Sequence, residues 1–174
     1  MEVEVRALII TGKYAQDIEV FYPKYRLDEE GWVVDTAMQK YEEVGVYGMK
    51  INANTLTEDM PSDYDCLILP GGARALEYLR PDKNIITYIR SFKGVIGSIC
   101  HGTQLLISAG LVNGRKVSGY YSIKDDIVNA GGEFVDAPFV TDGKIVCSPH
   151  YKYLGPWMRE VIHKAYYYHD SKSV

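Results

Sequence analysis

The chain has little that would staple it, anchor it or charge it in one direction. Its three cysteines are an odd number with no close pair, which points away from a disulfide framework and toward a reducing compartment. No apolar run approaches the roughly 20 residues that a membrane helix needs. The opening MEVEVRALIITG carries its charges through a strand-like run rather than through a separate apolar leader. Lys and Arg are nowhere concentrated and the net charge is −4, so nucleic acid and anionic membranes are poor partners. Repeats, linkers and low-complexity stretches are also missing. These absences lead us to expect a single cytoplasmic domain over residues 1–174, able to bury about 70% of its unfolded surface without staples.

What is present alternates between two patterns. VRALIITG, WVVDTA, YDCLIL, GVIGSI and KIVC are short runs rich in Val, Leu and Ile, apolar enough to be buried on both faces. Between them, AQDIEVFYPKYRLDEEG, ARALEYLR continuing through NIITYIRSF, GTQLLISAG and IKDDIVNAGG carry helical spacing, and YLGPWMREVIHKAYYYH closes the chain as an amphipathic helix. VGVYGMKINANTL reads as a short hairpin or an edge excursion, and TDG as a hairpin turn. Strands apolar throughout and separated by helices predict a doubly wound α/β fold, with functional residues at the carboxyl ends of the strands.

The sharpest corner in this pattern is Ser98-Ile99-Cys100-His101-Gly102, where a strand meets a helix. Small residues two positions either side of a cysteine give the layout of a nucleophile elbow. A thiol there faces the positive end of a helix, which predicts a lowered pKa, and the adjacent imidazole can move a proton. Backbone N–H groups beyond the nucleophile are free for a developing oxyanion. A buried apolar cysteine is the bland alternative, and it suits Cys66 and Cys147 inside apolar strands. Cys100 and His101 have no second spaced pair, so no metal site is expected. The run Tyr166 to Asp170 reads as packing or subunit contact.

These segments together resemble the ThiJ/PfpI superfamily, with its class I glutamine-amidotransferase-like fold, and specifically its PfpI-type branch. ICHGTQLL is similar to the signature around the reactive cysteine, and LILPGG to the glycine turn opposite it. GRKVSGYYSIKDDIVNAGGEFVD, DIEVFYPKYRLDEEGWVVDTA and PWMREVI extend the likeness over almost the whole chain. The resemblance implies a flavodoxin-like three-layer sandwich, a mostly parallel central sheet with helices on both faces. It also implies a homo-oligomer, dimeric or hexameric, and a peptidase-like triad of Cys100, His101 and a Glu lent by the neighbouring subunit, which falls on Glu77. The Gly71 and Gly72 backbone would complete an oxyanion hole with the His101 N–H, and Tyr120 matches a pocket tyrosine.

Two departures bear on the chemistry. The family's acid that touches the cysteine sulfur aligns with Gln16, or with Asp17 if the register slips by one, as in the isonitrile-hydratase branch. An amide donates a hydrogen bond but exchanges no proton at neutral pH. In CSPHYKYLGPW, Pro149, His150, Tyr151 and Tyr153 replace an Arg that could clamp a carboxylate. The leading expectation is a cofactor-free, cysteine-dependent hydrolase acting on a small carbonyl or peptide substrate, peptidase-like or glyoxalase- and deglycase-like. A stress-response thiol oxidised at Cys100, isonitrile-hydratase-like activity and a non-catalytic oligomeric member stand beside it.

Overall fold

The computed structural model describes residues 4–174. Arg6–Ile10 (β1) leads into the helix Asp17–Glu29 (α1) and the strand Val33–Met38 (β2). A hairpin of Glu42–Val44 (β3) and Lys50–Asn52 (β4) stands apart from the main sheet, which Thr55–Leu56 (β5) and Cys66–Leu69 (β6) rejoin. Two helices, Ala73–Leu79 (α2) and Lys83–Ser91 (α3), precede Val95–Ile99 (β7) and Thr103–Ser108 (α4). Lys116–Val117 (β8), Lys124–Asn129 (α5) and Glu133–Phe134 (β9) follow. Val140–Asp142 (β10), Ile145–Ser148 (β11) and the long helix Leu154–Lys172 (α6) complete the chain.

The expected helix through ARALEYLR and NIITYIRSF is two helices. Pro81 and Asp82 interrupt it, and the Asp82 side chain caps α3 by accepting from the N–H groups of Asn84 and Ile85. The seven-stranded sheet runs β10-β11-β7-β6-β1-β2-β5, parallel throughout except for β10 against β11. This is the mostly parallel sheet, with helices on both faces, that the alternating pattern predicts.

Strand periodicity sorts the core into two layers. Ala7, Ile9, Ile68, Ile99 and Val146 face α1 and α6, where Trp157 is fully buried and donates its indole N–H to the Val146 carbonyl at 3.1 Å. Leu8, Ile10, Leu67, Leu69 and Ile96 face the helices between β6 and β10. Because both faces are covered, the carboxyl edge of the strands is the open side, and β1, β6 and β7 all end there beside one another.

At the opposite edge, Asp65 fixes the end of α6. Its side chain is 3% exposed, accepts the Arg6 N–H at 3.0 Å, and has His169 Nδ1 at 3.2 Å and the Lys172 ammonium against Oδ1. Tyr166, from the aromatic run, accepts from the Trp32 indole and donates to Glu30, so part of that run is intramolecular packing. No helix of the described residues is long and apolar enough to cross a membrane.

Burial raises the Asp65 carboxyl, but Lys172, the Arg6 N–H and His169 outweigh it and hold it below the ordinary carboxylate value. A depressed folded-state pKa gives stability that is present above the unfolded value of about 4 and is lost as pH falls through the folded one. Urea unfolding should therefore show Asp65→Asn less stable than wild type by about 1–3 kcal/mol at pH 7, with the gap narrowing below pH ~4. An equal gap at all pH values would contradict this linkage.

Candidate functional site

β7 ends at Ile99, and the next residue turns sharply. Cys100 has φ 58°, one of two non-glycine residues in the left-handed region among those described. That conformation costs an L-residue about 1–2 kcal/mol, so its surroundings must hold it. The Cys100 carbonyl accepts the Tyr120 N–H at 3.0 Å. Below the turn, Ser98 Oγ and Thr103 Oγ1 lie 2.8 Å apart, and Thr103 Oγ1 donates to the Ser118 carbonyl at 2.8 Å. Two glycines make room for the corner. A Cβ on Gly102 would meet the Leu69 carbonyl oxygen at 2.1 Å, and one on Gly71 would lie 2.9 Å from the His101 nitrogen and 3.0 Å from Cys100 Cβ. The end of β6 and the elbow after β7 thus touch backbone to backbone.

The acid beside the sulfur is Glu19, in the first turn of α1. It is fully buried; its Oε1 accepts the Gly71 N–H at 2.9 Å, and its carboxyl lies against the Cys100 thiol. Its other oxygen has no hydrogen-bond partner. Burial pushes the Glu19 carboxyl up to about 8, against the opposing pull of the Gly71 N–H and the thiol. Burial, followed by the charge of Glu19, pushes the Cys100 thiol up as well, while the N–H groups of His101 and Gly72 pull it down. The lowering expected from the helix terminus is thus outweighed by burial. Two like charges cannot share this space, so one proton leaves the pair well before the other. With Glu19 protonated, the sulfur is relieved of repulsion and keeps its two N–H donors.

His101 Nδ1 lies 3.6 Å from Cys100 Sγ, and its Nε2 lies 3.4 Å from Ser122 Oγ. Burial lowers its pKa, leaving a neutral imidazole at pH 7. Its ring stacks on Tyr120 with centroids 4.7 Å apart, and Tyr120 in turn faces His150 at 6.2 Å. His150 packs on Tyr151 at 4.1 Å. These four rings form one wall of an open cleft of about 380 Å³ above the sulfur. Tyr14, Val46, Tyr47 and Arg74 form the other wall, with Gln16 and Gly72 near the thiol.

The sequence-derived site divides accordingly. Cys100, His101, Gly72, Tyr120, His150 and Gln16 meet at the cleft. Asp17 does not: its carboxylate accepts the N–H groups of Tyr47 at 2.7 Å and Met49 at 2.9 Å, holding the loop between β3 and β4. Gln16 is not the sulfur's acid, because Glu19, one helical turn further on, occupies that place. Gly71 is not an oxyanion donor, because its N–H is bonded to Glu19. The N–H groups of Gly72 and His101 both act on the Cys100 sulfur instead. Glu77 lies exposed on α2 and does not line this chain's cleft.

Glu19 had a signal in the sequence. It falls on the buried stripe of α1 with Val20, Pro23 and Leu27, where an unpaired carboxylate is out of place. Arg74 and Tyr47 had none, because the fold brings them to the cleft from distant segments. Cys66 and Cys147 are buried in β6 and β11 as expected. No three His, Cys, Asp or Glu side chains cluster as metal ligands among the described residues.

The chain is 39% identical over 163 residues to the deglycase PfpI of Pyrococcus furiosus, covering 91% of this chain and 98% of that one. It is 36% identical to protein/nucleic acid deglycase 2 of Escherichia coli, covering 78% of this chain and 82% of the relative. The corresponding figures for the putative cysteine protease YraA of Bacillus subtilis are 34%, 82% and 86%. Among solved structures, Schizosaccharomyces pombe DJ-1 shares the fold with TM-score 0.84 at 19% identity, over 98% of this chain and all of that one. A two-domain protein from Anabaena variabilis, with DJ-1/ThiJ/PfpI-like and ferritin-like domains, matches with TM-score 0.89 at 23% identity, over 92% of this chain and 48% of that chain. The DJ-1/PfpI family profile covers residues 5–164, and with relatives this similar along nearly its full length, the chain belongs to the DJ-1/PfpI family.

Proposed function

We propose that this protein is a cysteine-dependent deglycase, releasing amines or thiols from their adducts with small α-oxoaldehydes. The observation that carries the reading is the buried Glu19 carboxyl against the Cys100 sulfur, with a pKa of about 8. A proton-exchanging group poised near the working pH is what isomerising such an adduct requires. The names of the relatives from P. furiosus and E. coli support the same assignment.

The steps balance without a cofactor. Neutral His101 takes the Cys100 proton, the sulfur attacks the carbinol carbon of the adduct, an S–C bond forms as the C–N or C–S bond breaks, and His101 passes the proton to the departing amine or thiol. Ionised Glu19 then takes the proton from that carbon and returns it to the neighbouring carbonyl carbon, while the carbinol hydroxyl proton passes to the former carbonyl oxygen. The first carbon is thereby oxidised to a thioester while the second is reduced to an alcohol. The Gly72 and His101 N–H groups hold the oxygen that gains charge. Water finally cleaves the thioester, giving a 2-hydroxy acid and the free thiol.

In this reading the chain works as a dimer or hexamer, with Glu77 lent to the His101 of a neighbouring subunit. Two features support it: Glu77 faces outward on α2, and the β3–β4 hairpin exposes Tyr41, Val44, Val46, Tyr47 and Met49. A second reading, redox sensing at Cys100, is supported by the same carboxyl, since a protonated acid can donate to a sulfinate oxygen. The isonitrile-hydratase alternative loses the feature it rested on, because Asp17 is turned to the hairpin.

Cys100→Ala should abolish release of free thiol from a methylglyoxal hemithioacetal, and Glu19→Gln should lower kcat by about 10²-fold or more. Turnover that survives in Cys100→Ala would end the reading. Stoichiometric gain of oxygen at Cys100 in mild peroxide, seen by mass spectrometry together with negligible turnover, would instead select the sensor.

Glu19 also sets a pH dependence. A carboxyl raised in the folded state contributes stability that is full below its ordinary value and is lost as pH rises through the folded one. Stability should fall as pH rises from the ordinary carboxylate value toward about 8, and Glu19→Gln should flatten that fall in urea titrations. Light scattering on Glu77→Gln completes the set: a tenfold or greater loss of kcat with unchanged oligomer size is expected of a lent carboxylate, and unchanged kcat would count against one.

A further inference from the structure

The part of the cleft that one chain supplies is electrostatically one-sided, before the carboxylate that a neighbour lends to His101. None of its lining residues is Asp or Glu, both of its imidazoles have lowered pKa values, and Glu19 lies beneath it rather than in its wall. Among the described residues that line it, the one permanent charge is Arg74, in the first turn of α2. The guanidinium carbon sits 3.8 Å above the centre of the Tyr14 ring, so one face of the fork is covered while its N–H edges remain available. Arg74 makes no ion pair among the described residues, and Glu77, one turn along the same helix, does not engage it.

The support under Arg74 is itself held at a cost. Tyr14 is the second non-glycine residue in the left-handed region, φ 64°, and its N–H donates to the Val44 carbonyl at 2.9 Å. A strained tyrosine presenting an unpaired guanidinium to a thiol cleft is a constellation that packing alone does not require. Stacking restricts the guanidinium before a ligand arrives, so less freedom is lost when a carboxylate takes its two parallel N–H donors.

We infer that Arg74 is a specificity-determining residue that binds a carboxylate on the substrate, so that the favoured substrates are adducts of small carboxylate-bearing amines or thiols, free amino acids and short peptides. This rests on the deglycase reading and narrows it. The sequence leaves no Arg in the loop after β11, where relatives could clamp a carboxylate; the clamp is instead on α2, across the cleft from the aromatic wall.

Two matched pairs of probes test it. The first is the methylglyoxal hemithioacetal of N-acetylcysteine against that of N-acetylcysteine amide, which differ in one charge. Wild type should prefer the carboxylate by about tenfold in kcat/KM, mostly through KM, because a contact made equally in ground and transition states leaves kcat alone. Arg74→Gln should bring the ratio to about one, and Arg74→Lys should retain part of the preference. A wild-type ratio near one, or a preference that survives in Arg74→Gln, would overturn the inference while leaving the deglycase reading intact.

The second pair, iodoacetate against iodoacetamide, reads the same charge through alkylation of Cys100 and needs no turnover. The iodoacetate rate, relative to iodoacetamide, should fall severalfold in Arg74→Gln and recover in Arg74→Lys. If neither hemithioacetal is consumed, the deglycase reading fails and this ratio alone decides the matter: an Arg74-independent ratio overturns the anion site, and an Arg74-dependent one upholds it. Arg74 is exposed, so the variants should fold, and far-ultraviolet circular dichroism checks this.

Discussion

Everything at the carboxyl edge of the sheet depends on how closely the turn after β6 approaches the elbow after β7. The two loops are separated by less than a methyl group, and the Glu19 carboxyl bridges them by accepting the Gly71 N–H while facing the sulfur. That one side chain performs two tasks that oppose each other. Dry burial makes its proton hard to lose, which suits an acid that must exchange protons near neutrality. The same burial would be costly for a fully ionised carboxylate, so the fold tolerates Glu19 because it can stay protonated.

The elbow's strain belongs to the same economy of space. Cys100 adopts its left-handed conformation between a carbonyl tied to Tyr120 and a hydroxyl chain running from Ser98 through Thr103 to Ser118. Ser98, Thr103 and Ser118 come from β7, α4 and the segment after β8, and none of the three lines the cleft. The turn is therefore set by the sheet and α4, and substrate contacts can vary without disturbing the nucleophile. The aromatic wall follows this division, since Tyr120, His150 and Tyr151 stand on loops that the sheet anchors but does not bury.

How much of this was legible in the sequence depended on range. Continuous Val, Leu and Ile runs in β1, β6 and β7 and glycines at close approaches are local signals, and they gave the parallel sheet and the Cys100 elbow directly. The acid was misplaced by one helical turn because Gln16 and Glu19 share a face of α1, and a short motif does not say which of two positions on one face points inward. Asp17 looked like a candidate for the thiol because nothing in its neighbourhood reveals that its carboxylate is bonded to backbone amides 30 and 32 residues away. Arg74 carries no local signal, and only the fold brings it over Tyr14 and toward the thiol's cleft.

The bond from Asp17 to the hairpin loop has one more consequence. Asp17 grips the loop solely by main-chain amides, which every residue except proline supplies, so the grip is indifferent to what the loop's side chains are. This grip does not depend on the side chains of Val46 and Tyr47, so changes there leave the rim in position over the sulfur. The rim is also rooted two residues from Glu19, on the same helical turn, so loop and proton carrier stay in fixed alignment. A lineage of such proteins could diversify what enters the cleft by drifting at the rim, leaving the reacting atoms where they are.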